Sequence, residues 1–87
     1  MKSHTSPEFW KEYSKLDPSL KKAANKAYSV WHANHFHPSL RFKCINPGLN
    51  IWSARISKGY RAVCVVEDDT AIWFWIGNHD DYEKFFG

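Results

Sequence analysis

Trp52-Ser53-Ala54-Arg55-Ile56-Ser57-Lys58-Gly59-Tyr60-Arg61-Ala62-Val63-Cys64-Val65-Val66-Glu67-Asp68-Asp69-Thr70-Ala71-Ile72-Trp73-Phe74-Trp75-Ile76 is the stretch that decides the fold. Two breaks, Lys58-Gly59 and Asp68-Asp69, divide it into three runs rich in β-branched and aromatic residues. That is the pattern of consecutive antiparallel strands joined by tight turns. A pleated strand sends alternate side chains to opposite faces, so Ser53, Arg55 and Ser57 are expected on one face and Trp52, Ala54 and Ile56 on the other. One face builds a core and the other can hold a charged ligand. The runs from Tyr60 and from Thr70 are apolar on both faces for much of their length, which predicts central strands. Trp73 and Trp75 are expected on one face and Phe74 on the other.

Working outward, Gly77 ends the last strand and Asp80 to Phe86 form a short terminal helix. Upstream of the Asn46-Pro47-Gly48 turn, Leu40, Phe42 and Cys44 alternate with Arg41 and Lys43, which predicts one further strand. Before Pro38 the period becomes helical. Ser6-Pro7-Glu8 and Asp17-Pro18-Ser19 are helix starts, with a capping side chain before a proline in the first turn. Phe9, Trp10, Tyr13 and Leu16 form one stripe, and Leu20, Ala23, Ala24, Ala27, Val30 and Trp31 form the next, running to about Asn34. The expected architecture is α+β: an N-terminal helical hairpin packed on an antiparallel four-stranded sheet, with a short C-terminal helix, all in one domain covering residues 1–87. Met1 to Ser6 read as too short and polar for a strand.

At 87 residues the chain has room for one modest core. Five Trp, six Phe and four Tyr supply it, since each aromatic buries about 150–250 Å². No apolar run approaches the roughly 20 residues of a membrane span, so no membrane association is expected. Cys44 and Cys64 lie in strand-like runs and no leader pattern precedes them, which suits reduced thiols and a cytoplasmic location. Charge is uneven: residues 1–43 carry eight Lys/Arg against three Asp/Glu, residues 44–87 four against six. A polyanion would meet the first half together with Arg55 and Arg61.

The chemistry-bearing candidates are cations on strands. Arg41, Lys43, Arg55 and Arg61 are expected on three neighbouring strands, where a guanidinium fork matches phosphate oxygens; the competing reading is a solvated face, or pairing with Glu67, Asp80 and Asp81. Arg61, in a strand expected to be buried, fits that competing reading least. His79 follows the last strand and can exchange a proton near neutral pH. Tyr82 can stack on a base or anchor the terminal segment. His32, His35, His37 and Cys44 have zinc-ligand chemistry but match no closed-site spacing, so no metal site is expected.

The segments Leu40-Arg41-Phe42, Trp52-Ser53-Ala54-Arg55-Ile56, Gly59-Tyr60-Arg61-Ala62-Val63, Glu67-Asp68-Asp69 and Trp75-Ile76-Gly77-Asn78-His79 together resemble the RelE/ParE superfamily of bacterial toxins, over roughly residues 17 to 86. The resemblance implies a small antiparallel sheet backed by a helical hairpin. It also implies a toxin of a type II toxin–antitoxin pair, held inactive by a cognate antitoxin. In the best-known branch the toxin is a ribosome-dependent mRNA endonuclease that needs neither cofactor nor metal. It further implies that Arg61 contacts the scissile phosphate, Arg55 assists from the preceding strand, His79 stands where that branch has a catalytic His or Arg, and Tyr82 matches a C-terminal tyrosine, with Phe85 nearer that position in some members. Arg41, Lys43, Arg55 and Arg61 would form the RNA-binding surface. Ser53 stands where one branch has a second lysine, no carboxylate corresponds to another branch's glutamate base, and His37 is the candidate substitute. The gyrase-poisoning branch shares the fold without the catalytic residues, so a DNA gyrase inhibitor is the alternative.

Overall fold

Ser6 and Asp17 cap the first two helices as their sequence contexts require: Ser6 Oγ accepts the Phe9 N–H at 3.3 Å and Asp17 Oδ1 the Leu20 N–H at 2.9 Å, each with proline at the first helical position. Asp17 also accepts from the Ser19 hydroxyl at 2.7 Å, and this bond leads the causes that hold its carboxyl below the usual aspartate value. The computed structural model describes all 87 residues. In chain order it comprises β1 (Lys2–Thr5), α1 (Pro7–Tyr13), α2 (Pro18–Ala33), a 3₁₀ turn (Pro38–Leu40), β2 (Lys43–Asn46), β3 (Ile51–Ser57), β4 (Tyr60–Glu67), β5 (Thr70–Asn78) and α3 (His79–Phe86). The strands form one mixed sheet in the order β1-β5-β4-β3-β2.

The sheet thus has five strands, and the expectation of four antiparallel strands is corrected at the start of the chain. Lys2–Thr5 pairs in parallel with Thr70–Trp73. The pairing rests on backbone bonds, Lys2 N–H to Asp69 O and, just past the end of β1, Ser6 N–H to Trp73 O, both 2.9 Å, and on the Trp73 indole donating to Ser3 Oγ at 3.1 Å. A four-residue edge strand held by its backbone needs no alternating apolar pattern, which is why Met1 to Ser6 gave no strand signal. The helices are therefore not N-terminal to the sheet; they cross its face from one edge to the other. α1 lies over β5 and α2 over β3, and the two helices meet where Tyr13 Oη donates to Asn25 Oδ1 at 3.3 Å.

Asp68 and Asp69, both with positive φ (48° and 61°), make the two-residue turn between β4 and β5, since Glu67 pairs with Thr70. Under the helices the core is Ala24, Ala27 and Trp31 of α2, with Leu40 and Phe42, against Ala54, Ala62, Cys64, Ala71, Trp73 and Ile76 of the sheet. Trp31 meets Trp73 edge to face at 5.3 Å and Phe42 at 5.8 Å, while Phe42 stacks on Trp52 at 4.9 Å. Burial pushes the Cys64 thiol up to about 12, so it packs as a small apolar side chain.

A bulge decides what the opposite face carries. Cys64 pairs with Trp73 but Val63 with Trp75, so Phe74 has no partner on β4. Trp73 and Trp75, expected on one face, are therefore on opposite faces. Trp73 joins the helices, and Trp75 packs against Tyr82, Phe85 and Phe86 of α3 at ring separations of 6.4, 6.3 and 5.4 Å. A second register shift, in β3, pairs Ser57 with Tyr60 where Arg55 pairs with Arg61. It takes Ser57 out of the face expected to hold Ser53 and Arg55. Arg41 is also displaced: it is the left-handed cap of the 3₁₀ turn (φ 46°, ψ 41°), not a strand residue, because the chain must turn from the buried Leu40 toward the sheet.

Candidate anion-binding face

Strand register places the cations. Arg55 lies directly opposite Arg61, and Arg61 directly opposite Gly77, so one row across β3, β4 and β5 carries two guanidinium groups and a glycine. The neighbouring row runs Lys43, Ser53, Val63, Trp75 across four strands. Side chains in both rows point away from the α1–α2 layer, because the intervening row of Ala54, Ala62 and Ile76 is core. Directly opposed Cα atoms are about 4.5–5.5 Å apart and diagonal neighbours about 7–8 Å. Lys43 is thus the diagonal neighbour of Arg55, which in turn faces Arg61, so the three cations share one face of the sheet across β2, β3 and β4. Arg41, in its left-handed cap, is exposed beside the edge strand and outside these rows.

Arg61 is held in place by its own turn. Its Nη1 donates to Ser57 O at 3.2 Å and Tyr60 O at 3.0 Å, which leaves Nη2 and Nε as a free fork. None of Lys43, Arg55 and Arg61 makes an ion pair; the pairs in the molecule are the N-terminal amine with Asp69, Lys15 with Glu12 and His79 with Glu83. Glu67, Asp80 and Asp81, the carboxylates that would have made these cations an ordinary solvated network, do not neutralise them. Two like charges opposed across a strand pair and unscreened by a carboxylate lower stability, and they attract an anion.

His79 enters at the same end of the sheet. Its N–H donates to Gly59 O at 2.8 Å, within the turn whose carbonyls hold Arg61 Nη1. It follows by two residues the Gly77 that pairs with Arg61, a step of about 6–7 Å along the strand direction. Asn78 caps α3, its Oδ1 accepting the Asp81 N–H at 2.8 Å, which fixes where the helix starts and so where His79 sits. The imidazole stacks on Tyr82 at 6.1 Å, and its Nε2 lies 3.4 Å from Glu83 Oε1. The sequence reading missed Glu83; the signal was its i, i+4 spacing from His79 on the terminal helix.

Tyr82 is buried, 8 % exposed, and its hydroxyl donates to the buried Ser53 Oγ at 3.2 Å. It bolts α3 to β3. Ser53, which stands where one branch of the resembled superfamily has a lysine, is thus the acceptor for that bolt. Phe85 is exposed at the outer end of α3. His37 caps the 3₁₀ turn: its Nδ1 accepts the Ser39 N–H at 3.2 Å and lies 2.8 Å from Ser39 Oγ. His35 Nδ1–H donates to Trp31 O at 2.6 Å. No three His, Cys, Asp or Glu side chains gather as a metal would require. No helix is long and apolar enough to cross a membrane.

Solved structures share this architecture. The RelE toxin chain of the RelB–RelE antitoxin–toxin complex from Methanococcus jannaschii superposes with a TM-score of 0.76 at 18% identity, covering 97% of this chain and 99% of that one. The YoeB/ParE toxin from Agrobacterium tumefaciens gives 0.70 at 17% identity, covering 91% and 99%, and the YoeB dimer from Staphylococcus aureus 0.69 at 19%, covering 91% and 97%. No curated sequence matches the chain. Residues 18–84, from the start of α2 to within α3, match the ParE-like toxin domain. The chain accordingly belongs to the ParE-like toxin domain family.

Proposed function

We propose that this toxin is an endoribonuclease acting on mRNA at the ribosome and restrained by a cognate antitoxin. The observation that carries the reading is the opposed Arg55–Arg61 pair, without a carboxylate partner, beside a histidine held at the same strand ends. The three neighbours are, respectively, a toxin seen with its antitoxin and two toxins of the same superfamily, which supports the antitoxin as partner. In the proposed reaction the RNA 2′-hydroxyl gives its proton to solvent water as its oxygen attacks phosphorus, and the bond from phosphorus to the 5′-oxygen breaks, leaving a 2′,3′-cyclic phosphate and a 5′-hydroxyl. Arg61 and Arg55 offset the charge that develops on the phosphorane, and their fixed positions limit reorganisation during the step. Protonated His79 donates to the departing 5′-oxygen. Glu83 Oε1, 3.4 Å from Nε2, helps hold the imidazole in position. Tyr82 serves the site by holding α3, and with it His79, in register with β4. Lys43 and Arg41 extend the positive surface along the RNA backbone.

The test is induction of the chain alone with mapping of transcript 5′ ends, beside a gyrase supercoiling assay on the purified protein. New 5′ ends are expected, falling by about 10²–10⁴-fold in Arg61→Ala and His79→Ala, the range for loss of an acid–base or oxyanion group. Inhibited supercoiling with no new ends, insensitive to either substitution, overturns the nuclease in favour of the gyrase inhibitor.

A further inference from the structure

On the face that carries the cations, β5 meets Arg61 with a glycine, and the space a side chain would fill there is already taken. A Cβ on Gly77 would lie 2.6 Å from Trp75 Cζ2, 2.8 Å from Cη2 and 3.3 Å from Cε2. Nε1 is bonded to Cε2. The N–H edge of the Trp75 indole therefore leans over Gly77, at the end of the row that runs Arg55, Arg61, Gly77.

A second observation concerns what the five indole N–H groups do. Three donate within the chain: Trp10 to Thr5 Oγ1 at 2.9 Å, Trp52 to Asn50 Oδ1 at 2.9 Å and Trp73 to Ser3 Oγ at 3.1 Å. Trp31 Nε1 is buried without a partner. Trp75 Nε1 has no partner either, yet it is open to solvent, on a ring that is only partly buried. Seating α3 does not call for it. Tyr82, Phe85 and Phe86 meet the Trp75 ring, and a phenyl group could fill that role. An indole N–H donates and cannot accept, so what it recognises is a lone pair. Beside it Arg61 keeps Nη2 and Nε free, and no carboxylate pairs with Arg55 or Arg61. A row so rich in donors suits an anion with several oxygens.

We infer that Trp75 is an RNA-contacting residue, whose indole N–H donates to a non-bridging oxygen of the phosphate that Arg55 and Arg61 attract. The inference rests on reading this face as the RNA site, and it adds one neutral, directional donor to two charged ones. A flexible cation follows a phosphate wherever it lies, whereas a ring leaning on Gly77 and held by α3 offers a single direction. The same ring ties phosphate seating to the helix that carries His79.

NMR of the purified, ¹⁵N-labelled chain tests it, because each indole N–H gives its own signal. The probe is a hexanucleotide RNA with 2′-O-methyl groups throughout, which cannot be cleaved. The Trp75 signal, identified by its loss in Trp75→Phe, should move downfield saturably as the probe is added, and should stay still in Arg61→Ala at the same concentrations. Trp75→Phe keeps a ring under α3 but removes the donor, so it should weaken binding about three- to tenfold. Should that variant fail to fold, the Phe86 ring, 5.4 Å away, identifies the signal through space and its response in the unsubstituted chain decides. A Trp75 signal that stays still at saturation, full affinity in folded Trp75→Phe, or no saturable binding overturns the inference. The nuclease is judged separately: a responsive Trp75 in a chain that yields no new transcript 5′ ends supports the contact and overturns the nuclease, while Arg61-dependent new ends with an unresponsive Trp75 do the reverse.

Discussion

Tyr82→Phe separates two roles for the terminal tyrosine, because it deletes one oxygen and leaves the ring in place. The bond lost is Tyr82 Oη to Ser53 Oγ, at 3.2 Å long for a hydroxyl pair and therefore weak. Its environment raises the cost. Ser53 is 2 % exposed and Tyr82 8 %, so the serine hydroxyl is left beneath α3 without solvent. A neutral hydrogen bond contributes about 0.5–1.5 kcal/mol and an orphaned buried hydroxyl costs about 1–3 kcal/mol, so a loss of about 1–2 kcal/mol is expected for this long bond. In a domain of this size each kcal/mol lowers Tm by roughly 4–8 °C. Urea denaturation should give the same loss with an unchanged slope.

Ser53→Ala should cost less, since the Tyr82 hydroxyl left behind lies nearer the surface. The double variant should be no less stable than Tyr82→Phe alone, because the second substitution removes the group that the first had orphaned. RNA cleavage should stay within about threefold of wild type, equivalent to less than 1 kcal/mol in the barrier, since the ring still stacks on His79. Two results refute the reasoning. One is additive costs in the double variant, which would mean that the two hydroxyls do not pair. The other is a cleavage defect beyond about 100-fold with stability intact, which would give the hydroxyl a role on the RNA itself.

Two further substitutions probe the same face. Gly77→Ala places a methyl 2.6 Å from Trp75 Cζ2 and 2.8 Å from Cη2, so the indole that seats α3 must move; the expected loss is about 1–3 kcal/mol, read by denaturation together with a change in tryptophan fluorescence, and an unchanged emission spectrum counts against it. Arg55→Gln removes one of two opposed charges and should raise stability by about 0.2–1 kcal/mol, more at low than at high salt, while RNA affinity falls; equal losses in both, measured by denaturation and filter binding, would show Arg55 to be structural.

How far the fold could be read from the residues depended on what holds each element. The helices and β3 to β5 were legible because burial imposes periodicity and the caps and turns carry specific side chains: Ser6, Asp17, and the Asp68-Asp69 pair in left-handed conformation. β1 was not, because backbone pairing to β5 leaves no side-chain pattern. The bulge at Phe74 was invisible for a different reason. Three aromatics in succession satisfy either register, and only the need to seat Trp73 under α2 and Trp75 under α3 selects one. Arg41 was misplaced because an alternating pattern of five residues is shared by a strand and by a 3₁₀ turn that buries its last apolar residue.

The candidate site follows the same logic. Arg55 and Arg61 could be placed on one face because alternation is intrinsic to a strand and a tight turn sets the register between neighbours. The burial of Tyr82 beneath Ser53, the approach of Glu83 to His79 and the orphaned Trp31 N–H are products of how α3 and α2 dock, which no local pattern records. Most of the chain obeys local rules consistently: caps, turns and core stripes agree with one another. The opposed arginines break them, since a valine or threonine at either position would pair across the strands without repulsion. Folding alone does not account for two arginines at paired strand positions with no carboxylate partner, and departures of this kind concentrate where a protein binds or reacts. In the proposed reaction, the anion that relieves the repulsion is the RNA phosphate.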